Sequence, residues 1–212
     1  MHSNLNCPVP LISVYTGRVK AIPESGNYPD IDFLHEIGVG MSAAPLAKVL
    51  GRIVLFVSSV TESDSCFIYI QDGRELVLRA SKNLHSEVIG RLRIQIGRGI
   101  TGWVAAHRKP VAIGRNAYSD PRFQSFNELP EDRYEAFLSV PVLCRGKLVG
   151  VINAQHRRPH SYTKREIQLI STIGFLVGAE IELARMEDEV WKLTKELRLL
   201  KSSEDAKQES SG

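Results

Sequence analysis

Cysteine is scarce in this chain of 212 residues: there are three, Cys7, Cys66 and Cys144. They are odd in number and far apart, which excludes a disulfide framework and a zinc knuckle and makes a reducing cytoplasm the simplest compartment. Charge of one sign is also scarce. Lys and Arg number 27 against 24 Asp and Glu, a formal +3, too small and too dispersed for the electrostatic footprint of a nucleic-acid groove. Long hydrophobic runs are missing as well. The most apolar segment, 46–60, falls short of the roughly 20 residues a membrane span needs and carries Lys48 and Arg52, so no membrane partner is expected. The N-terminus lacks the basic region of a signal peptide, and Pro8 and Pro10 interrupt its early apolar run.

What is present is a composition with 43% hydrophobic residues, enough to bury a full core in one domain plus extensions. Residues 1–30 hold Pro8, Pro10, Pro23 and Pro29 without helical or strand periodicity and read as an extended leader. From Ile31 the pattern turns helical. Between Ala44 and Ser59 the apolar residues are so dense that a helix buried on most of its circumference is expected. "SCFIYIQDGRELVLRAS" then reads as a hairpin turning at Asp72-Gly73, and "RLRIQI" as a third strand with Leu92, Ile94 and Ile96 on its buried face.

The stretch "IGRGITGWVAAHRKP" contains G-x-G-x-x-G at Gly97, Gly99 and Gly102, directly after a strand. A dinucleotide-binding turn requires a long crossover helix and a parallel strand ending in an acid. Here Pro110 restricts Lys109 to extended backbone, which leaves room for about two helical turns. Asp120 lies in a proline loop, and hairpins on both sides indicate an antiparallel sheet. The fingerprint therefore fails its context. Gly97 and Gly99 are read as a bend into a short helix, and Gly102 as room for that helix to lie close to the sheet.

"VAIG" supplies a fourth strand and "FLSVPVLCRGKLVGVINAQ" a hairpin of two more, turning at Arg145-Gly146. Pairing Cys144 with Lys147, Leu143 with Leu148 and Val142 with Val149 puts Val140, Asn153 and Gln155 on one face. That face is assigned to the loop side, where the two amides would orient a ligand between apolar walls. Trp103, Tyr118, Phe123 and Phe126, on the short helix and the following loop, are candidate lids, with core filling as the alternative. Arg122 is read as tying the loop to Asp120 or Glu128. Cys144 reads as a small hydrophobe rather than a redox sensor, His107 as a solvent-facing residue rather than a haem ligand, and His156 and His160 as loop surface. The residues identify no metal cluster and no cofactor.

From Thr163 to about Leu200 the chain reads as one helix. Leu176, Ala179, Leu183, Met186, Val190, Leu193, Leu197 and Leu200 form a heptad seam, of which Leu183 to Leu200 is expected to form a homodimer contact. Ile167, Ile170, Ile173, Val177 and Ile181 are placed to press on the sheet. The tail 201–212 has too few apolar residues to order itself.

The segments from Ile31 to Arg185, namely the first helix with "DSCFIYIQDGRELVLRAS", "GRGITGWVAAHRKPVAI", "NAYSDPRF", the second hairpin and "YTKREIQLIS", together resemble the GAF domain, a small-molecule sensing and dimerisation module. Their pattern is similar to the GAF domain at the N-terminus of nitrogen-related phosphotransferase enzyme I and to GAF-containing bacterial regulators. The resemblance implies an α+β fold: a central antiparallel six-stranded sheet, helices on both sides, and a pocket under the loops. The expected organisation is a leader (1–30), a GAF domain (31–185), a coiled-coil extension of the C-terminal helix (186–200) and a disordered tail (201–212). Relatives that reduce methionine sulfoxide carry a cysteine where this chain has Thr101. The cyclic-nucleotide and bilin signatures of other relatives do not thread onto 116–135 or onto Cys144-Arg145. The implied function is a non-enzymatic sensor of an unknown small molecule, acting on a separate effector. A ligand-free scaffold for dimerisation and docking is the alternative, and an enzyme of the methionine sulfoxide reductase type ranks behind it.

Overall fold

The computed structural model of the chain describes residues 45–82, 88–124 and 134–209, with positions 31, 32, 34, 35 and 38. The leader with Cys7, and Phe126, lie outside the described residues.

Helix α1 spans Leu46–Thr61 and ends where Glu62 takes a left-handed conformation. It is amphipathic rather than buried all round. Val49, Leu50, Ile53, Val54 and Val57 repeat at helical spacing and are buried, whereas Leu55 on the opposite side is 64% exposed. A dense apolar run thus concealed a single-sided helix, because Lys48, Arg52 and Ser59 take solvent beside Leu55.

Strands β1 (Ser65–Asp72), β2 (Glu75–Ser81), β3 (Arg93–Gln95), β4 (Val111–Ile113), β5 (Ala136–Cys144) and β6 (Lys147–His156) form one sheet in the order β3-β2-β1-β6-β5-β4. Every pairing is antiparallel. The fold is α+β with six strands, and helix α2 (Gly99–His107) is nine residues long, so the glycine stretch feeds no dinucleotide crossover. Gly97 and Gly99 have φ of 94° and 69°, a region that favours glycine. A Cβ on Gly102 would lie 2.5 Å from the Gln95 carbonyl oxygen, which is why a residue without a side chain lets α2 sit so close to β3.

Helix α3 runs Lys164–Glu209. A capping box starts it: the Thr163 hydroxyl accepts the Glu166 N–H at 3.2 Å while the Glu166 carboxylate accepts the Thr163 N–H at 2.6 Å. Gly174 and Gly178, one turn apart, bring its backbone onto β5, where a Cβ on Gly178 would meet the Leu143 carbonyl oxygen at 2.5 Å. The helix continues through 201–209, where composition predicts a disordered tail. Lys, Glu and Ala extend a preformed helix without a new nucleation step, so propagation outlasts the apolar pattern. By length and composition Lys164–Leu199 is apolar enough to cross a membrane, with a mean hydropathy of 1.5 in its most apolar window. That apolarity serves the sheet: Ile170, Ile173, Val177 and Ile181 are buried in the core that α1 shares.

The sheet separates two cores. On one face α1 and α3 cover Cys66, Ile68, Ile70, Leu138, Val140, Val142, Val149, Ile152 and Ala154. On the other, α2 and the loops cover Phe67, Tyr69, Phe137 and Val151.

Candidate functional site

The second face encloses a cavity of about 30 Å³, room for roughly one or two waters. Alternation along the strands decides its floor. Phe67 and Tyr69 come from β1, Phe137 from β5, Asn153 and Gln155 from β6. Phe67 sits opposite Asn153, Phe137 opposite Gln155, and Ser139 opposite Asn153. Phe123, Gln124 and Tyr134 close one side, and Arg98 to Thr101 at the start of α2 close another.

Two amides on one strand have different fates. Asn153 accepts a hydrogen bond from the Ser139 hydroxyl at 2.7 Å and donates one to the Thr101 hydroxyl at 2.8 Å, all three being buried. This chain of bonds bolts the first turn of α2 to the sheet. Gln155 is 6% exposed, and its Oε1 has no hydrogen-bond partner among the described residues. A buried amide oxygen without a donor costs about 1–3 kcal/mol, so the cavity holds an acceptor that a suitable occupant would satisfy. The first backbone N–H groups of a helix lack intrahelical partners. Among the described residues no side chain caps α2, and Gly99, Ile100 and Thr101 line the cavity beside Arg98. The site therefore combines donors and positive potential at one end, an amide acceptor within, and aromatic walls.

The structure groups three of the sequence-selected residues, Phe123, Asn153 and Gln155, around this cavity. Val140 is not among them. The second hairpin turns at Arg145-Gly146 with Cys144 opposite Lys147, as expected, but a register shift follows Val142, which pairs with Gly150 rather than Val149. One extra residue flips the face of everything beyond it. Val140 therefore joins Ile152 in the α1/α3 core, and Asn153 shares its face with Ser139. The signal for the bulge was Gly150, where a Cβ would lie closer to the Tyr69 carbonyl oxygen than any real side chain can.

Trp103 and Tyr118 do not line the cavity. Tyr118 is 45% exposed and hydrogen-bonds Asn116 at 3.2 Å. Trp103 stacks on His107 at 4.0 Å, and the Arg122 guanidinium lies 4.9 Å over its ring. Arg122 also holds Asp120 through two side-chain contacts of 2.8 Å. Those bonds from Arg122, opposed by burial, keep the Asp120 carboxyl below the usual carboxylate range. Arg122 thus ties the loop, as its sequence position suggests. His107 is exposed, with Nδ1 2.9 Å from the Trp103 carbonyl. Cys66 is fully buried, and burial pushes its thiol up to about 12. Among the described residues no cysteine lines the cavity and no group of three metal-ligating side chains converges.

His156 departs from its expected place. It is not loop surface but the buried last residue of β6, and Tyr162 and His160 pack against it. Sequence reasoning missed it, as it missed Thr101, because both are defined by partners distant in the chain.

Beyond the helix-sheet contact, Leu176, Leu183, Met186, Val190, Leu193 and Leu197 of the heptad seam are between 39% and 62% exposed. The side chain of Leu200 lies outside the described residues.

Comparison with known proteins agrees with this architecture. The family model of the GAF domain matches residues 45–181. The phosphoenolpyruvate-dependent phosphotransferase system protein of Escherichia coli K12 is 26% identical over 156 residues, 72% of this chain and 21% of its own length. The chain thus spans about a fifth of the length of the curated relatives it matches. Among solved structures, the GAF domain of a phosphoenolpyruvate-protein phosphotransferase from Coxiella burnetii is 29% identical with a TM-score of 0.69, over 76% of this chain and 96% of that one. The corresponding Acinetobacter domain is 25% identical with a TM-score of 0.67, over 77% and 99%. The free methionine-R-sulfoxide reductase of Neisseria meningitidis, 17% identical with a TM-score of 0.60 over 77% and 96%, shares the fold. With the family model covering α1, the whole sheet, α2, the first turns of α3 and every described wall of the cavity, the chain belongs to the GAF domain family.

Proposed function

We propose that this GAF domain is a cytoplasmic sensor that takes a small polar metabolite into the cavity over β1, β5 and β6, dimerises through the C-terminal half of α3, and passes the bound state to a separate effector. The observation that carries the reading is the buried Oε1 of Gln155, without a partner among the described residues, in an aromatic-walled cavity. It asks for an N–H or O–H donor, while the uncapped first turn of α2 and Arg98 ask for an accepting or anionic group. A ligand binding one state of the cavity more tightly shifts the population toward it, and the Asn153–Thr101 bond gives α2 a direct tie to the sheet against which α3 packs. The exposed seam supports dimerisation, since heptad-spaced apolar residues in solvent are covered when two helices pair. Thr101 stands where sulfoxide-reducing relatives carry a cysteine, and its hydroxyl is engaged by Asn153, which supports binding rather than sulfoxide reduction.

The size of the cavity favours a second reading. A volume of about 30 Å³ is far below the ~300 Å³ typical of small-molecule sites, so a scaffold whose pocket is filled by its own side chains remains in competition. Thermal unfolding against metabolites, cyclic nucleotides and haem separates the two. A ligand that raises Tm in the native chain and loses its effect in Gln155→Leu supports the sensor. No response across the panel supports the scaffold.

A further inference from the structure

The end of β6 carries a cluster that neither ligand binding nor dimerisation uses. His156 is 6% exposed. Its ring lies face to face with that of His160, centroids 4.0 Å apart and 4° from parallel, and both meet Tyr162 edge-on. Nε2 of His156 is 2.7 Å from the Thr61 carbonyl oxygen at the end of α1. A carbonyl only accepts, so Nε2 carries the hydrogen. Nδ1 is 3.0 Å from the Tyr162 hydroxyl, which is also 3.0 Å from the Ala154 carbonyl. With His156 neutral, the single hydroxyl hydrogen has two acceptors to serve. With a proton on Nδ1, that nitrogen donates to Tyr162, and the hydroxyl hydrogen goes wholly to Ala154. Tyr162 accommodates that proton, but the proton puts a full charge on a ring that is 6% exposed and stacked face to face on a second imidazole, and burial without a counter-charge opposes it. His160 places its Nε2 3.0 Å from the Glu166 carboxylate, the same carboxylate that caps α3 through Thr163.

We propose that His156, stacked on His160, makes this junction of α1, β6 and α3 a proton-sensitive joint, so that acidification loosens the start of α3 from the sheet. Protons are then a second input to the helix that carries the seam, independent of any ligand in the cavity.

The titratable groups described around His156 fit this arrangement. Asp64, just after α1, accepts the Arg157 N–H at 2.7 Å. Glu135, leading into β5, donates its N–H to the His156 carbonyl at 2.8 Å and turns its carboxylate to the Asn116 N–H. Cys66 on β1 stays a neutral thiol, and burial likewise raises Tyr162. Glu166 is pushed up by burial, but hydrogen bonds from Thr163 and His160 outweigh this and hold it below the carboxylate range. For His156 itself burial dominates and, with His160 opposite, lowers it below the ordinary 6.5 despite the bond to Thr61 and the carboxylates of Asp64 and Glu166. A lowered histidine means that the opened joint binds the proton more readily than the seated one. The joint is fully seated above about pH 6.5 and loses stability as pH falls below that value.

Histidine ring NMR titrations of the full chain and of His160→Gln test this, together with amide-exchange protection factors at about pH 7.5 and about pH 5.5. We expect His156 to titrate below the free-histidine midpoint and to move upward in H160Q. Protection over residues 164–170 should fall by about tenfold per pH unit over which one proton is taken up, while the β1–β2 hairpin stays protected. A His156 midpoint at or above that of free histidine, or one unmoved in H160Q, overturns the proposal. So does an equal fall in protection at both places. If H160Q does not fold, the exchange profile of the native chain decides alone.

Discussion

Two helical glycines should respond with opposite sign to the same substitution. Gly178 on α3 faces β5, and a Cβ there would meet the Leu143 carbonyl oxygen at 2.5 Å and its carbon at 2.8 Å. Ordinary contact begins near 3.4 Å, so in Gly178→Ala the helix must retreat by roughly 1 Å, drawing Ile173, Val177 and Ile181 out of a close-packed core. Overpacking of this kind costs about 1–3 kcal/mol, against a gain of up to about 1 kcal/mol from replacing glycine in a helix. Taking the middle of the overpacking range against that gain, the expected net is a loss of about 1–2 kcal/mol. Gly51, inside α1, has no heavy atom of the described residues within 4 Å of the place its Cβ would take, so Gly51→Ala keeps the propensity gain and should stabilise by up to about 1 kcal/mol. Urea unfolding of the two variants and the parent measures the contrast. Opposite shifts of the midpoint at constant slope are expected. A neutral or stabilising Gly178→Ala would refute the close approach of α3 to β5.

Further outcomes follow from the same contacts. Asn153→Leu removes the partner of both Thr101 and Ser139 and should cost about 2–6 kcal/mol, from two buried hydroxyls losing a bond, with calorimetry as the readout. Gly102→Ala forces a 2.5 Å contact with the Gln95 carbonyl and should destabilise by about 1–3 kcal/mol, visible in the same denaturation assay. Iodoacetamide near neutral pH should label half-buried Cys144 and spare Cys66, as mapped by mass spectrometry. Because Cys66 is raised in the fold from 9.0 to about 12, its contribution to stability is present below about pH 9 and lost as pH climbs toward about 12. Truncation after Arg185 removes Met186, Val190, Leu193 and Leu197 from the exposed seam and should weaken self-association in sedimentation; a truncated chain as dimeric as the parent contradicts the seam.

What the sequence made legible was whatever local pattern enforces. The turn at Arg145-Gly146 needs positive φ at both residues, and both have it, at 49° and 76°. The bend at Gly97 and Gly99 and the closeness of Gly102 were likewise written in residues without alternatives. The face of Val140 was not, because a single bulge beyond the turn inverts the alternation, and Gly150, which lies close to Tyr69 across the sheet, is the one residue near it that marks an unusual place. Trp103 illustrates a different limit. Its place on a short helix was clear, but which way the helix turned it depended on Arg122 and His107, and they hold it outside the cavity. His156 stands at the end of a strand whose burial is set by α1 and Tyr162, residues distant or across a loop.

The central claim is a cavity that takes a ligand in a paired chain, and native mass spectrometry of the full chain purified from its own host reads both at once. The account predicts a dimer carrying one small-molecule mass per chain, with that mass lost in Gln155→Leu while the dimer persists. A monomer, or a dimer bare of any adduct in the native chain, would contradict it.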